Sequence, residues 1–483
     1  MIIKGILFGC LFVCYVYLPK LIFMEQRFPK GNKPRIIIVG GGFGGIELAK
    51  KLRNQDVEVI MLDKHNYHTF QPLLYQVATG GLEADSIAFP LRKIFKGQKN
   101  LTFRVTEVKK VLPLENVVET TIGVFEYDHL VISTGSTSNF FGQTEIEKNA
   151  MPMKSIPEAL NLRSLILQNL ELAQITTDKL DEAELLNFVV VGGGPTGVET
   201  SGAIAELKKH VLKNDYPELD LSKVNIYLIE GSPELLGAMS VQAQQKSEAF
   251  LKELGVTVMT NSRVQSYDGS QLTLVDGKII PSSTVIWSAG VKGVVIEGLN
   301  PQSVVRGNRV KVNEINKIDG HDNIYAIGDV AAMITEELPN GHPGVAPAAI
   351  QQGKQLAENL INIINNKPTE PFKYFDKGAM ATVGRNRAVV DIHKVRFQGV
   401  FAWFTWMFVH LMTLVGFRNK LVVFVNWVWS YFSYDRGTRL IIRPFLRGNP
   451  ELLPETPKPV NPETTKPVNP EASKPVNDEP KVN

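Results

Sequence analysis

An α/β architecture with parallel sheets follows from three features of this 483-residue chain. Short apolar, β-branched runs recur between residues 34 and 372, separated by stretches of helical periodicity. Two glycine-rich turns each follow such a run and open a helix. The apolar fraction, 44%, is ample for several cores at a length that suggests two to four domains. The runs at 36–39, 57–62, 130–133, 188–191, 225–229 and 285–287 are continuous rather than alternating. Strands of that kind are buried on both faces of a parallel sheet.

In chain order, residues 1–33 form an apolar leader interrupted by Lys4 and by Pro19-Lys20. Its uncharged stretch, 5–18, is short for a bilayer span. Three readings stay open: an N-terminal anchor, a signal peptide, or an extension ahead of a true start at Met24. Arg27, Lys30, Lys33 and Arg35 behind it suit an anchor that leaves the body on the cytoplasmic side.

The first turn reads Gly40-Gly41-Gly42-Phe43-Gly44-Gly45. Gly40 permits a tight turn, Gly42 lets the backbone approach a pyrophosphate, and Gly45 lets helix and strand pack closely. Amides at the helix N-terminus then face the phosphates. Asp63 ends the next strand, about 20 residues on, where a ribose-binding acid belongs. The second turn, Gly192-Gly193-Gly194-Pro195-Thr196-Gly197, repeats the design, with Glu230 as its acid after a longer connection near 210–221. A carboxylate there accepts the ribose 2′-OH of NADH and repels the 2′-phosphate of NADPH. Two dinucleotide sites are therefore expected. Thr134 and Gly135 close the first unit, and Gly328-Asp329 supplies a late strand-and-turn.

Toward the C-terminus the composition changes. Residues 398–434 hold Trp403, Trp406, Trp427 and Trp429, four of five tryptophans in the chain. Aromatic enrichment beside Arg436, Arg439, Arg443 and Arg447 reads as a segment seated at lipid headgroups. Residues 448–483 repeat KPVNPE-type units with no apolar face and read as a solvated tail.

Composition also excludes. A net charge of +3 makes no case for nucleic acid. Cys10 and Cys14 both lie in the leader, so the body has no disulfide, thiolate nucleophile or cysteine metal site. His65 and His68 lack metal-ligand spacing, and no metal centre is expected.

Several of these stretches together resemble the flavoproteins with two dinucleotide-binding domains, and within them type II NADH dehydrogenase, the non-proton-pumping NADH:quinone oxidoreductase. The resemblance rests on residues 66–80 (NYHTFQPLLYQVATG), 192–199, 287–291, Asp376-Lys377-Gly378 with 380–385, and His410 with 416–419. It implies two Rossmann-like domains and a membrane-associated C-terminal region. FAD would be held tightly by the first, at Gly40, Gly42, Gly45, Asp63, Thr134, Gly135, Gly328 and Asp329. NADH would be the substrate of the second, at Gly192, Gly194, Gly197, Glu230, Ala289 and Gly290. The corresponding segments are 34–150 and 301–372 for FAD, 151–300 for NADH and 373–447 for membrane and quinone. The resemblance further implies Glu199 and Lys377 as catalytic groups, a quinone wall at Ala346, Pro347, Ile350 and Gln351, and a membrane quinone (menaquinone or ubiquinone) as acceptor. Pro347 stands where the family carries a glutamine, and proline donates no hydrogen bond. A homodimer bound to the cytoplasmic face of the cell membrane, without crossing it, completes the expectation. Relatives that work through a catalytic thiol are excluded by the missing cysteines. Two rivals remain: a soluble NADH oxidase or electron-carrier reductase, and a non-enzymatic NADH-sensing flavoprotein.

Overall fold

The computed structural model describes residues 26–433, 437–441 and 445. The leader before residue 26, the repeat tail and three of the four arginines after the tryptophan segment lie outside these residues.

Continuous apolar runs become parallel strands. β1 (Arg35–Val39) leads through Gly40–Gly42 into α1 (Phe43–Lys51), and β2 (Glu58–Asp63), β3 (Leu101–Val105) and β4 (His129–Ile132) follow. β1 pairs in parallel with β2 on one side and β4 on the other, and β2 pairs with β3. Ile36, Ile37 and Ile38 have no exposed surface, as strands covered on both faces require.

A second sheet is inserted next. β5 (Met151–Pro152) and β6 (Asn187–Val191) precede α2 (Pro195–Glu206), and β7 (Asn225–Ile229), β8 (Val256–Met259) and β9 (Thr284–Trp287) complete it. The order is β5-β9-β6-β7-β8, all parallel. The long connection from α2 to β7 is filled by a π-helical turn, Leu207–Leu212, and a 3-10 turn, Leu221–Lys223.

β10 (Ile324–Ala326) then returns to the first sheet beside β4, giving β10-β4-β1-β2-β3. α3 (Ala346–Ile364) lies on α1. Their approach depends on absent side chains, since a Cβ on Gly353 would fall 2.3 Å from the Gly44 carbonyl oxygen.

The C-terminal module is an antiparallel sheet, β11 (Ala379–Gly384), β12 (Arg387–Ile392) and β13 (Val395–Gln398), followed by α4 (Val400–Thr413) and α5 (Phe417–Ser433). Gly416 turns between the helices at φ +87°, pressed on Phe89. Asn419 fixes α5 to the body, its amide donating to the carbonyls of Asp85, Ser86 and Ala88 at 3.1, 3.0 and 2.9 Å. Among the described residues no helix is long and apolar enough to cross a membrane.

Candidate functional site

Both glycine turns have one geometry. Gly40 and Gly192 take φ +107° and +111°, backbone that side chains rarely adopt. A Cβ at Gly45 would sit 2.1 Å from the Gly40 carbonyl oxygen, and one at Gly197 1.8 Å from that of Gly192. Gly42 and Gly194, by contrast, have nothing within 4 Å of a Cβ position. Tight glycines thus face the protein while open glycines face outward at a helix N-terminus. An anion fits that concave backbone.

The two acids also match. Asp63 accepts from the Gly41 and His65 amides at 2.6 and 2.7 Å, and Glu230 from those of Gly193 and Ser232 at 2.5 and 2.7 Å. Each carboxylate oxygen keeps a further lone pair for a ribose hydroxyl. Burial pushes the Asp63 carboxyl above its usual range, opposed by those two amides.

Serines at both turns escaped the sequence reading. Ser133 Oγ donates to Val39 O and Gly40 O at 2.9 and 2.8 Å, and Ser288 Oγ to Val191 O and Gly192 O at 2.9 and 3.3 Å. The parallel VISTG and VIWSAG strings carried that signal. His68 is another. Its Nδ1 lies 3.2 Å from Gly41 O, and since a carbonyl only accepts, the ring is the Nδ1–H tautomer. Burial lowers its pKa to about 4, so it stays neutral.

Around the first turn, Thr134 Oγ1 donates to Val294 O at 2.5 Å, and Gly135 is open with φ +71°. Gly328 takes φ +74° and donates its amide to Gln352 Oε1 at 2.7 Å. Asp329 accepts from Ser136 Oγ at 2.6 Å. Beside the second turn, Ala289 lies against Gly192, and Gly290, at φ +147°, accepts from the Asn139 amide at 3.0 Å.

Glu199 sits one turn into α2 and is 8% exposed. It meets β11 because α2 packs there without an intervening side chain: a Cβ on Gly202 would lie 1.7 Å from Val383 O. The Thr382 amide donates to Glu199 Oε1 at 3.4 Å, and the Trp406 indole also faces the carboxyl. Desolvation dominates these contacts and raises its pKa to about 8, so Glu199 is protonated at neutral pH. Lys377 lies differently. It is exposed, five residues before Thr382, and among the described residues no ion pair or hydrogen bond joins it to Glu199.

The stretch 346–351 forms the first turn of α3, next to Gly44 through Ala349. Gln351 is occupied by the backbone of Phe375, donating to its oxygen at 2.9 Å and accepting from its amide at 3.0 Å. That amide is spent on holding chain rather than offered to a ligand.

The tryptophans are not one headgroup belt. Trp406 and Trp427 are 2% and 9% exposed and turn inward, and Trp427 Nε1 donates to Gln76 Oε1 at 2.8 Å. Of the four, Trp429 is strongly exposed. The outward apolar face is made instead by phenylalanines, including Phe401, Phe404, Phe408, Phe417 and Phe432. Composition counts aromatics without revealing which side of a helix they occupy. His410 stacks on Trp406 at 4.1 Å, with Nδ1 2.7 Å from Trp406 O, and burial lowers its pKa to about 4.

The model of the pyridine nucleotide-disulphide oxidoreductase family matches residues 34–353, and that of the NDH2 C-terminal domain matches 377–433. Type II NADH:quinone oxidoreductase Ndh of Mycobacterium tuberculosis is 37% identical over 85% of this chain and 92% of its own length. The type II NADH:quinone oxidoreductase of Haemophilus influenzae is 29% identical over 78% and 92%. Among solved structures, NDH2 from Plasmodium falciparum in complex with NADH superposes with a TM-score of 0.77 at 21% identity, covering 85% of this chain and all of that one. The sulfide:quinone oxidoreductase of Aquifex aeolicus reaches 0.63 over 83% and 95%. With its nucleotide-binding body and its C-terminal module both matched, the chain belongs to the type II NADH:quinone oxidoreductases.

Proposed function

We propose that this chain oxidises NADH through tightly bound FAD and reduces a membrane quinone by two electrons without pumping protons, with Glu199 as proton donor. The carrying observation is a carboxyl that is neutral at pH 7, buried where the NADH-side helix α2 meets the C-terminal module.

When bound, FAD supplies hydride acceptance and delivery of the electron pair. Gly42 would admit its pyrophosphate at the turn that Gly40 and Gly45 close, Asp63 would take a ribose hydroxyl, and Thr134, Gly135, Gly328 and Asp329 would line the rest. Gly192, Gly194, Gly197, Ala289 and Gly290 hold NADH, and Glu230 selects it over NADPH by charge repulsion. Ala346, Pro347 and Ile350 give the quinone an apolar wall. Polar recognition falls to other groups, because Pro347 has no N–H and Gln351 is engaged by Phe375. Lys377, in this reading, contributes positive charge near the reacting centre. Glu199 delivers a proton to the acceptor and is recharged from water. The body lacks cysteine, so the disulfide chemistry of the wider family has no nucleophile here.

The phenylalanine face of α4 and α5 seats the protein on the cytoplasmic leaflet. Each buried phenylalanine contributes about 1.5–3 kcal/mol, so a handful suffices without a spanning helix. A homodimer through the C-terminal region is part of this reading. Two measurements test it. Visible absorbance should show a yellow protein that bleaches with NADH and recovers with quinone; a colourless protein ends the proposal. The triple substitution Phe401→Ser, Phe404→Ser, Phe408→Ser should weaken vesicle binding at least 100-fold and leave reduction by NADH intact. Unchanged vesicle binding removes the membrane role of that face.

A further inference from the structure

Reducing a quinone with NADH consumes one proton beyond the hydride: NADH, quinone and H⁺ give NAD⁺ and the quinol. That proton comes from water, yet Glu199 is buried. A cleft of about 110 Å³ adjoins it. It is lined on one side by Glu199, Ala203, Glu206, His210 and Val211, on another by Thr382 and Arg385, and on a third by residues of α4 and α5, among them Trp406 and Tyr431.

Glu199, Ala203, Glu206 and His210 fall at i, i+4, i+7 and i+11, one stripe along α2 and its π-helical continuation. At 1.5 Å rise per residue, Glu206 is about 10 Å along the axis from Glu199, and His210 lies beyond it on the π-helical turn. Burial decreases in the same direction. Glu199 and Thr382 are 8% and 4% exposed, whereas Glu206, His210 and Arg385 are half-buried. Ala203 is small and leaves space between the two carboxyls. The gaps match a short file of waters, each needing about 30 Å³ and two or more polar partners. Arg385 stacks its guanidinium 3.9 Å from the Tyr431 ring centre, with Nε and Nη1 buried, and its backbone amide donates to Glu206. Trp406 and Trp427 stand between the buried end and the outward phenylalanine face.

We propose that this cleft is the aqueous proton-entry route to Glu199, with Glu206 and His210 as its relay groups. The proposal rests on Glu199 being the proton donor.

Infrared spectroscopy of the holoprotein tests it without turnover. The carbonyl stretch of protonated Glu199 is the band lost in Glu199→Gln, and its deuteration after dilution into D₂O reports access. Glu206→Gln keeps the oxygen that holds the Arg385 amide but removes the carboxyl group. Expected results are at least tenfold slower deuteration in Glu206→Gln and in His210→Ala, acceleration of the latter by added imidazole, and a comparable slowing when Ala203→Leu fills the cleft. Quinone turnover should fall in parallel in Glu206→Gln, with reduction by NADH intact. Deuteration at the wild-type rate in both Glu206→Gln and Ala203→Leu overturns the route while leaving Glu199 as donor. A wild-type spectrum with no band sensitive to Glu199→Gln overturns the donor itself.

Discussion

The two glycine turns share one set of dihedrals, hydrogen bonds and close contacts on helices that pack against different neighbours. Both have a positive-φ first glycine, an acid accepting the next amide, a serine bridging strand and turn, and an open third glycine. α1 then packs on α3 through Gly44 and Gly353, enclosing the first site between elements of its own unit. α2 packs on β11 through Gly202 and Val383, which delivers Glu199 to the C-terminal module. The turn geometry is local and recurs. The chemistry differs because of what each helix touches.

Valine substitutions give the largest expected effects. Gly45→Val and Gly197→Val both drive a side chain into backbone oxygen. Gly45→Val should yield colourless protein, whereas Gly197→Val should stay yellow and bind NADH at least 100-fold more weakly, about 2.7 kcal/mol. Flavin absorbance and equilibrium titration read the two, and loss of colour in both would mean that the turns are not independent sites.

Next is Glu199→Gln, expected to slow the quinone step by about 10²–10⁴-fold, the range for a general acid, while stopped-flow reduction by NADH changes little. In the wild type, the quinone step should decline as pH rises through about 8, where Glu199 loses its proton. Stability has the same sign. Between the ordinary value of 4.5 and about 8, the folded chain holds a proton that the unfolded chain has lost, so stability falls as pH rises across that window. Melting temperatures of Glu199→Gln should not show that slope; an unchanged slope assigns it to another group.

Gly202→Ala and Gly353→Ala probe the two packings directly, since either methyl meets carbonyl oxygen closer than 2.4 Å. Overpacking of this kind costs about 1–3 kcal/mol. Denaturant midpoints should fall in both, but Gly202→Ala should also impair quinone turnover disproportionately. Equal losses of flavin and of turnover in the two variants would abolish the contrast between the helices. The smallest effect belongs to Glu230→Gln, which keeps an acceptor for Gly193 but removes the charge. The preference for NADH over NADPH, as a ratio of Kd values, should shrink about tenfold, or 1.4 kcal/mol.

Much of the first site was legible in the chain, since strand, turn and acid are close in sequence and each glycine answers a local steric demand. Gly40, Gly45, Asp63 and their counterparts needed no distant partner to be found. Ser133 and Ser288 were missed although VISTG and VIWSAG run parallel, because the carbonyls such a serine bridges are identified only once the turn is folded beside it. Trp406 and Trp427 look like headgroup residues in a composition window, but helix phase relative to Gln76 and Glu199 turns them inward. Lys377 matches a family string, yet its position relative to Glu199 depends on where β11 begins.

By itself, the sequence determined the two glycine turns, the carboxylates that accept their amides, the absence of a thiol from the body and the apolar C-terminal segment. Those depend on backbone sterics and residue chemistry over short spans. Tertiary structure alone decided that Glu199 is desolvated, that Thr382 and Trp406 face it, and that a cleft runs from it past Glu206 to His210. Burial and proton affinity arise from atoms brought together across nearly 200 residues of chain, and no local pattern encodes that solvent exclusion.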